Sequence, residues 1–240
     1  PLATACVEGE QARVWAVTDA AAIGQLQRLM APASLLIADG HHRFAVALSK
    51  RARFGTVMIY ISCLEDPAVR VRSIHRVVRL SALAQTEWLT RLGGLCDLTP
   101  ASSQAALTRW LESHDAQGRF GCYVGGGWHQ AQVREDVLAN ALLTPTVVGA
   151  AGLDVTLLHQ VLLPRLQGGA AANGLECAYT PDASQAAAMV DRREGDCAWL
   201  LRGLPMAQLW ALARQGIMLP QKTTYFYPKL LSGLFINPLE

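Results

Sequence analysis

Two stretches of this 240-residue chain gather side chains that could do chemistry. In Asp39-Gly40-His41-His42-Arg43-Phe44, a carboxylate, two imidazoles and a guanidinium follow one another between apolar runs. Far downstream, Lys222, Thr223, Thr224, Tyr225 and Lys229 offer two ammonium groups and three hydroxyls, with Pro220 and Pro228 on either side. Both sets suit oxyanions. Ammonium and hydroxyl donors hold phosphate or carboxylate oxygens in a partly dry cleft, and an arginine adds a planar fork that takes two such oxygens at once. Because neighbouring rings cannot easily share one face, at most one of His41 and His42 points into a pocket. Asp39, His41, His42 and Lys222 are the candidate catalytic groups; Gly40, Arg43, Thr223, Thr224, Tyr225 and Lys229 are candidates for holding phosphate or another ligand.

The elements that must position the first stretch can be read on either side of it. Ser34 to Ile37, with Ala38 closing the run, reads as a short buried strand, and Gly40 lets the backbone turn. Arg43 to Lys50 has helical spacing, with Phe44, Ala47 and Leu48 on one face. Asp39 to Arg43 is therefore expected at a strand end and a helix start, where unpaired N–H groups and the positive end of the macrodipole attract anions. Upstream, Arg13 to Val17 alternates as a strand. Thr18 or Asp19 caps a helix with Ile23, Leu26, Leu29 and Met30 on one face, and Pro32 ends it. Downstream, Thr56 to Cys63 reads as a fully buried strand, Asp66-Pro67 as a turn, and Val69 to Leu80 as one or two further strands.

A second region follows. Leu83 to Leu92 and Ser103 to His114 are amphipathic helices, the latter capped by Ser102 or Ser103 with Ala106, Leu107, Trp110 and Leu111 on one face. Phe120 to Val124, a Gly125-Gly126-Gly127 turn and Trp128 to Arg134 form a hairpin. His114 and His129 read as loop or surface residues. A third region alternates a helix over Leu153 to Leu166, a strand over Glu176 to Thr180, a helix over Ser184 to Arg193, a strand over Asp196 to Leu201 and a helix over Pro205 to Gln215. Leu157, Leu158, Val161 and Leu162 face inward from the first of these helices, so His159 reads as a satisfied core histidine. Gly168 to Gly174 is the most flexible text. Gln221 to Tyr227 reads as a fixed loop between its prolines, and Leu230 to Leu239 as a last strand. The expected class is α+β, with mixed α/β layers: a central mixed sheet flanked by helices. The expected division is 1–80, an inserted helix-plus-hairpin region at 81–150, and 151–240 packing with 1–80 as one domain.

Composition excludes several classes. Apolar residues at 51% and charged residues at 17% describe an ordered globule, and a net charge of +2 without a Lys/Arg block gives no footprint for a long nucleic acid. No apolar run is long enough for a membrane span, and Pro1 to Glu10 lacks the pattern of a signal peptide. Cys6, Cys63, Cys96, Cys122, Cys177 and Cys197 are scattered without a close pair, which reads as buried thiols in a reducing cytoplasm.

Asp39-Gly40-His41-His42-Arg43-Phe44 and Leu219 to Leu234 resemble the two signature motifs of the family called domain of unknown function 1015. Ile74-His75-Arg76-Val77-Val78 resembles its Pro-Thr-His-Arg segment, and Leu153-Asp154-Val155-Thr156-Leu157-Leu158-His159 its Leu-Asp-Val-Thr-(Val/Leu)-Leu-His segment. This resemblance adds His75 and Arg76 to the ligand-binding candidates. It also implies that the chain is an N-terminally truncated fragment, since the family continues upstream of Pro1. Gly40-His41-His42-Arg43 is further similar to the Gly-x-x-Arg box with which the ParB/sulfiredoxin-like fold holds nucleotide phosphates, in a group that includes free-serine kinases. Family members carry Tyr-Glu-Thr after the arginine, whereas this chain has Phe44-Ala45-Val46.

The leading expectation is a nucleotide-dependent, serine-kinase-like phosphotransferase acting on a small molecule, with a nucleoside phosphate and Mg2+ as cofactors. Arg43 and the amides after Gly40 would hold phosphates, Lys222 and Lys229 would neutralise developing charge, and Asp39 or a histidine would position the acceptor or the metal. The rivals are a non-catalytic nucleotide-binding or regulatory module and a metal-dependent hydrolase with Asp39, His42 and His75 as ligands. The expected partners are a nucleotide or other small molecule, with no long nucleic acid and no membrane; the oligomeric state stays open. The motifs around residues 39, 75 and 222 are expected to meet in space.

Overall fold

A computed structural model describes residues 1–7, 10–79, 85–113, 117–142, 153–167, 176–231 and 233–237. They fall into two compact units, Pro1–Val69 with Pro228–Glu240, and Arg70–Tyr227.

In the first unit, β1 (Ala3–Val7) and β2 (Glu10–Val14) pair antiparallel, with Ala3 opposite Val14. Helix α1 (Ala20–Met30) starts where Asp19 accepts a hydrogen bond from the Ala22 N–H at 2.8 Å, as the capping pattern predicts. Helix α2 (His41–Ser49) follows the central motif. Two strands expected on either side of α2 do not form. Residues 34–38 run without secondary structure, and Thr56 to Cys63 is likewise unpaired and exposed, with Ile59 56% accessible. β-branched, apolar text favours a strand only where a partner strand completes the ladder. Among the described residues of this unit, β1 and β2 pair with each other and offer these runs nothing. The apolar stripe of α1 is also uncovered, with no buried residue in that helix. The expected strand over Leu230 to Leu239 is absent from its described residues.

The second unit carries the core. It contains β3 (Arg70–Arg72), β4 (His75–Val78), α3 (Gln85–Gly93), β5 (Cys96–Ala101), α4 (Gln104–Glu112), β6 (Arg119–Val124), β7 (Gly127–Val133) and α5 (Glu135–Leu142). A helix in three consecutive pieces comes next: Asp154–Leu157, a π-helical turn Leu158–Leu162 and Leu163–Leu166, together α6. Then follow β8 (Cys177–Thr180), α7 (Ala183–Asp191), β9 (Cys197–Leu200), α8 (Met206–Arg214) and β10 (Tyr225–Tyr227). Six strands form one antiparallel sheet in the order β5-β7-β6-β9-β4-β8, so the hairpin β6–β7 joins the same sheet as β4. This is the expected α+β class, and every described pairing in the sheet is antiparallel.

Period-2 alternation explains the layers. Val78, Cys197, Trp199 and Cys122 face a core completed by Trp88, Leu157, Leu158 and Leu162 from α3 and α6. Val77, Ala198, Leu200 and Tyr123 face the opposite way, onto Leu107 and Leu111 of α4 and Ala186 and Ala187 of α7. The hairpin turn has Gly125 and Gly126 both at positive φ, 58° and 80°, which matches the twist of the strands it joins. Cys96, Cys122 and Cys197 are buried as expected, whereas Cys6 and Cys63 are exposed; all six cysteines are unbridged. Among the described residues, no helix is long and apolar enough to cross a membrane.

Candidate functional site

The first unit presents a corner built by the central motif. Gly40 sits at φ 82°, a left-handed backbone that costs glycine little, and it is the N-cap of α2 with no side chain capping the helix. The first turn of α2 contains no acidic residue either, so its first amide donors have no side-chain acceptor within the helix. Arg43 folds back over this start: a Cβ on Gly40 would lie 3.0 Å from its Nε and Nη2. Asp39 closes the corner. Its Oδ1 accepts the Gly40 N–H at 2.7 Å, and its Oδ2 accepts from Lys229 Nζ at 3.0 Å. The Lys229 hydrogen bond holds the Asp39 carboxyl below the usual carboxylate range, with Arg43 adding its charge. His41 and His42 are both exposed. The corner thus joins the first motif to the end of the last one.

The second unit gathers other predicted residues around β4. His75 and Arg76 occupy a strand buried on both faces, and alternation turns Arg76 toward α6. Arg76 is 1% accessible. Its guanidinium donates to His159 Nε2 at 3.2 Å, to the carbonyl of Ile74, and to the carbonyl of Lys222 at 2.9 Å. All three acceptors are neutral, and burial draws the pKa of Arg76 down. His75 accepts the Leu201 N–H at its Nδ1, 3.3 Å away, which fixes its remaining proton on Nε2. Burial, then the charge of Arg76, lowers both His75 and His159 to about 4. Both imidazoles are therefore neutral at physiological pH, and each spends a nitrogen on structure.

The final motif departs from the loop expected of it. Residues 221–223 turn, and Tyr225–Tyr227 is a strand pairing with β3, Tyr225 opposite Arg72 and Tyr227 opposite Arg70. The reason is that Arg70-Val71-Arg72 offers an open edge that this polar, aromatic run can pair with. Lys222 takes a left-handed backbone, φ 59°, which turns its carbonyl to Arg76. The Thr223 hydroxyl donates to the Pro220 carbonyl at 2.6 Å, and Thr224 is half-buried. Arg76 and Thr223 line a cleft of about 870 Å³, and with them stand Arg70, Arg72 and Arg202, none of them expected from the sequence. Their signal was the Arg-x-Arg alternation, which places Arg70 and Arg72 on one face of a strand. Arg202 bonds the Asp154 carboxylate from Nε and Nη2, at 3.3 and 3.1 Å, while Asp154 also accepts the Gly118 N–H at 2.8 Å. Burial nonetheless raises the Asp154 pKa.

The predicted residues therefore divide between the two units. Asp39, Gly40, His41, His42, Arg43 and Lys229 belong to the first, and His75, Arg76, Lys222, Thr223, Thr224 and Tyr225 to the second. Among the described residues, no group of three His, Cys, Asp or Glu side chains could hold a metal ion, so the ligand set Asp39, His42 and His75 does not assemble.

Comparison with known proteins places residues 1–156 in a family described as "Protein of unknown function (DUF1015)". No curated protein matches the chain. Among solved structures, a conserved hypothetical protein from Pyrococcus furiosus is similar at 15% identity and a TM-score of 0.42, over 79% of this chain and 68% of that one. A mutant free serine kinase in complex with AMP is similar at 16% identity and a TM-score of 0.46, over 82% of this chain and 70% of that one. Another mutant free serine kinase, in complex with ADP, has 14% identity and a TM-score of 0.43, over 79% and 66% of the two chains.

Proposed function

The chain belongs to the DUF1015 family, a name that assigns no activity, and we propose on the geometry of its first unit that it is a nucleotide-dependent small-molecule phosphotransferase, similar in class to serine kinases. The observation that carries this reading is the corner at Gly40. An uncapped helix start, an arginine folded over it and a lysine arriving from the last motif combine three phosphate-binding devices within one unit. The Gly-x-x-Arg box formed by Gly40 to Arg43 resembles one that holds nucleotide phosphates, which is why a nucleotide is named.

In this reading the α2 amides and Arg43 take the phosphate oxygens, and Lys229 meets charge that develops on the transferred group. His41 or His42 positions the acceptor hydroxyl. Magnesium, when bound, would neutralise charge on the phosphates. Asp39 is the only carboxylate in the six-residue motif, and both its oxygens are already engaged by Gly40 and Lys229. The corner therefore builds no protein cage for the ion, which would have to arrive with its nucleotide and waters.

Two observations favour a non-catalytic nucleotide-binding module: the first turn of α2 carries no acid, and Ala45 stands where resembling proteins have glutamate. Two measurements decide. Calorimetric titration with ATP and with ADP, each with and without magnesium, should show binding that Arg43→Ala abolishes. Phosphorus NMR of the same mixtures with serine should then show a new phosphomonoester. Binding without that product selects the module, and no binding of either nucleotide overturns both readings.

A further inference from the structure

The second unit holds a cleft whose charge is unbalanced. Its ionisable lining consists of Arg70, Arg72, Arg76 and Arg202 against Glu112 and Asp154, an excess of two positive charges. Arg202 and Asp154 satisfy one another. Among the described residues, Arg70, Arg72 and Arg76 have no carboxylate within ion-pair distance.

Arg76 is the informative member. A buried cation is normally paired with a carboxylate, because removing a charge from water is expensive, yet this guanidinium meets two carbonyls, a neutral imidazole and the ring of Tyr179, whose centroid is 5.6 Å from its carbon. Those three bonds use three of its five N–H donors and leave two over. Carbonyl dipoles orient a guanidinium without cancelling its charge. The arrangement therefore fixes a cation in a low-dielectric wall, where its attraction for an anion is stronger than it would be in water.

Arg72 is also held ready. Its guanidinium carbon lies 3.7 Å from the centroid of the Tyr227 ring, on the strand paired with its own. Stacking of this kind immobilises the plane of the guanidinium and leaves its N–H edges open. Arg70, two residues before it, lines the same cleft. Gly203 allows the wall behind them to approach closely, since a Cβ there would lie 2.9 Å from the Val71 carbonyl oxygen. The volume suits a small organic molecule.

We propose that this cleft is a binding site for a small dianionic oxyanion, a phosphate monoester or a dicarboxylate, bonded by the exposed Arg70 and Arg72 and attracted by the fixed charge of the buried Arg76. The proposal rests on none of the observations that carry the phosphotransferase reading. The dianion matches the charge excess, and Arg70 and Arg72 offer paired donors to its oxygens.

The test uses the whole chain at low ionic strength with two probes, inorganic phosphate and succinate. Affinity is read by calorimetry, and location by protection of arginines from phenylglyoxal, mapped by peptide mass spectrometry. Arg76 is buried and its loss could unfold the protein, so the variant is R70Q/R72Q, whose two side chains are exposed. At least one probe is expected to bind and to protect Arg70 and Arg72, with affinity falling by about tenfold or more in the variant and its melting temperature without probe unchanged. Preference for phosphate identifies a phosphomonoester site, and preference for succinate a dicarboxylate site. Absence of binding by both probes, or binding that R70Q/R72Q leaves intact, overturns the proposal. The outcome is independent of Arg43→Ala, which reports on the other unit.

Discussion

Arg76 donates a hydrogen bond from Nη2 to the main-chain carbonyl of Lys222 at 2.9 Å, and Lys222 presents that carbonyl through a left-handed backbone at φ 59°. Strand β4, next to the edge of the sheet, and the turn of the final motif are thereby locked together. The lysine expected to act through its ammonium group contributes its peptide oxygen to the structure.

Replacing Arg76 by leucine should therefore destabilise the fold. It leaves the Ile74 and Lys222 carbonyls and His159 Nε2 without their donor, and buried acceptors without partners cost about 1–3 kcal/mol each before relaxation. The expected total is about 2–5 kcal/mol, read from urea unfolding. A loss below about 1 kcal/mol would mean that the network contributes little.

Lys222→Gly separates the two roles of that residue. Glycine adopts φ 59° without the penalty of about 1–2 kcal/mol that a left-handed backbone costs a side-chain-bearing residue. The variant should unfold at an equal or higher temperature. If the ammonium group takes part in phosphoryl transfer, serine phosphorylation falls while stability rises; unchanged turnover would reduce Lys222 to a turn residue.

Stability should depend on pH through His75 and His159. Their folded pKa values of about 4 lie below the ordinary value of 6.5, so the unfolded chain binds protons that the folded one refuses. The stability they contribute is complete above about pH 6.5 and declines as pH falls toward about 4, by up to about 1.4 kcal/mol per pH unit for each histidine. Denaturation midpoints at pH 7.5 and 5.5 measure this slope. H75N/H159Q, which keeps an acceptor at each used nitrogen, should flatten it; an undiminished slope would assign the effect to other groups.

Gly40→Ala tests the corner. Alanine at φ 82° is strained by about 1–2 kcal/mol, and its Cβ would press on the Arg43 guanidinium at 3.0 Å. The melting temperature should drop, and nucleotide binding should weaken by displacement of Arg43. Arg43→Ala, at an exposed site, should weaken the same binding at an unchanged melting temperature. Equal thermal losses in the two variants would contradict the distinction.

What the sequence determined was local. The helices α1, α3, α4, α6, α7 and α8, the hairpin β6–β7 with its glycine turn, and the buried strands β4 and β9 were all legible, because each rests on periodicity, capping or turn chemistry within a short window. Helix α2 and its glycine start were legible for the same reason. Tertiary structure decided which apolar runs became strands. Thr56 to Cys63 has strong β text but no partner ladder, whereas Tyr225–Tyr227, with weaker text, gained the open edge of Arg70–Arg72. It also decided the surroundings of Arg76, since His159 and Lys222 lie 83 and 146 residues away and neither spacing carries a signal. The arginine cleft was invisible for the same reason: charge imbalance is a property of which side chains share a volume, and chain order does not encode that volume locally.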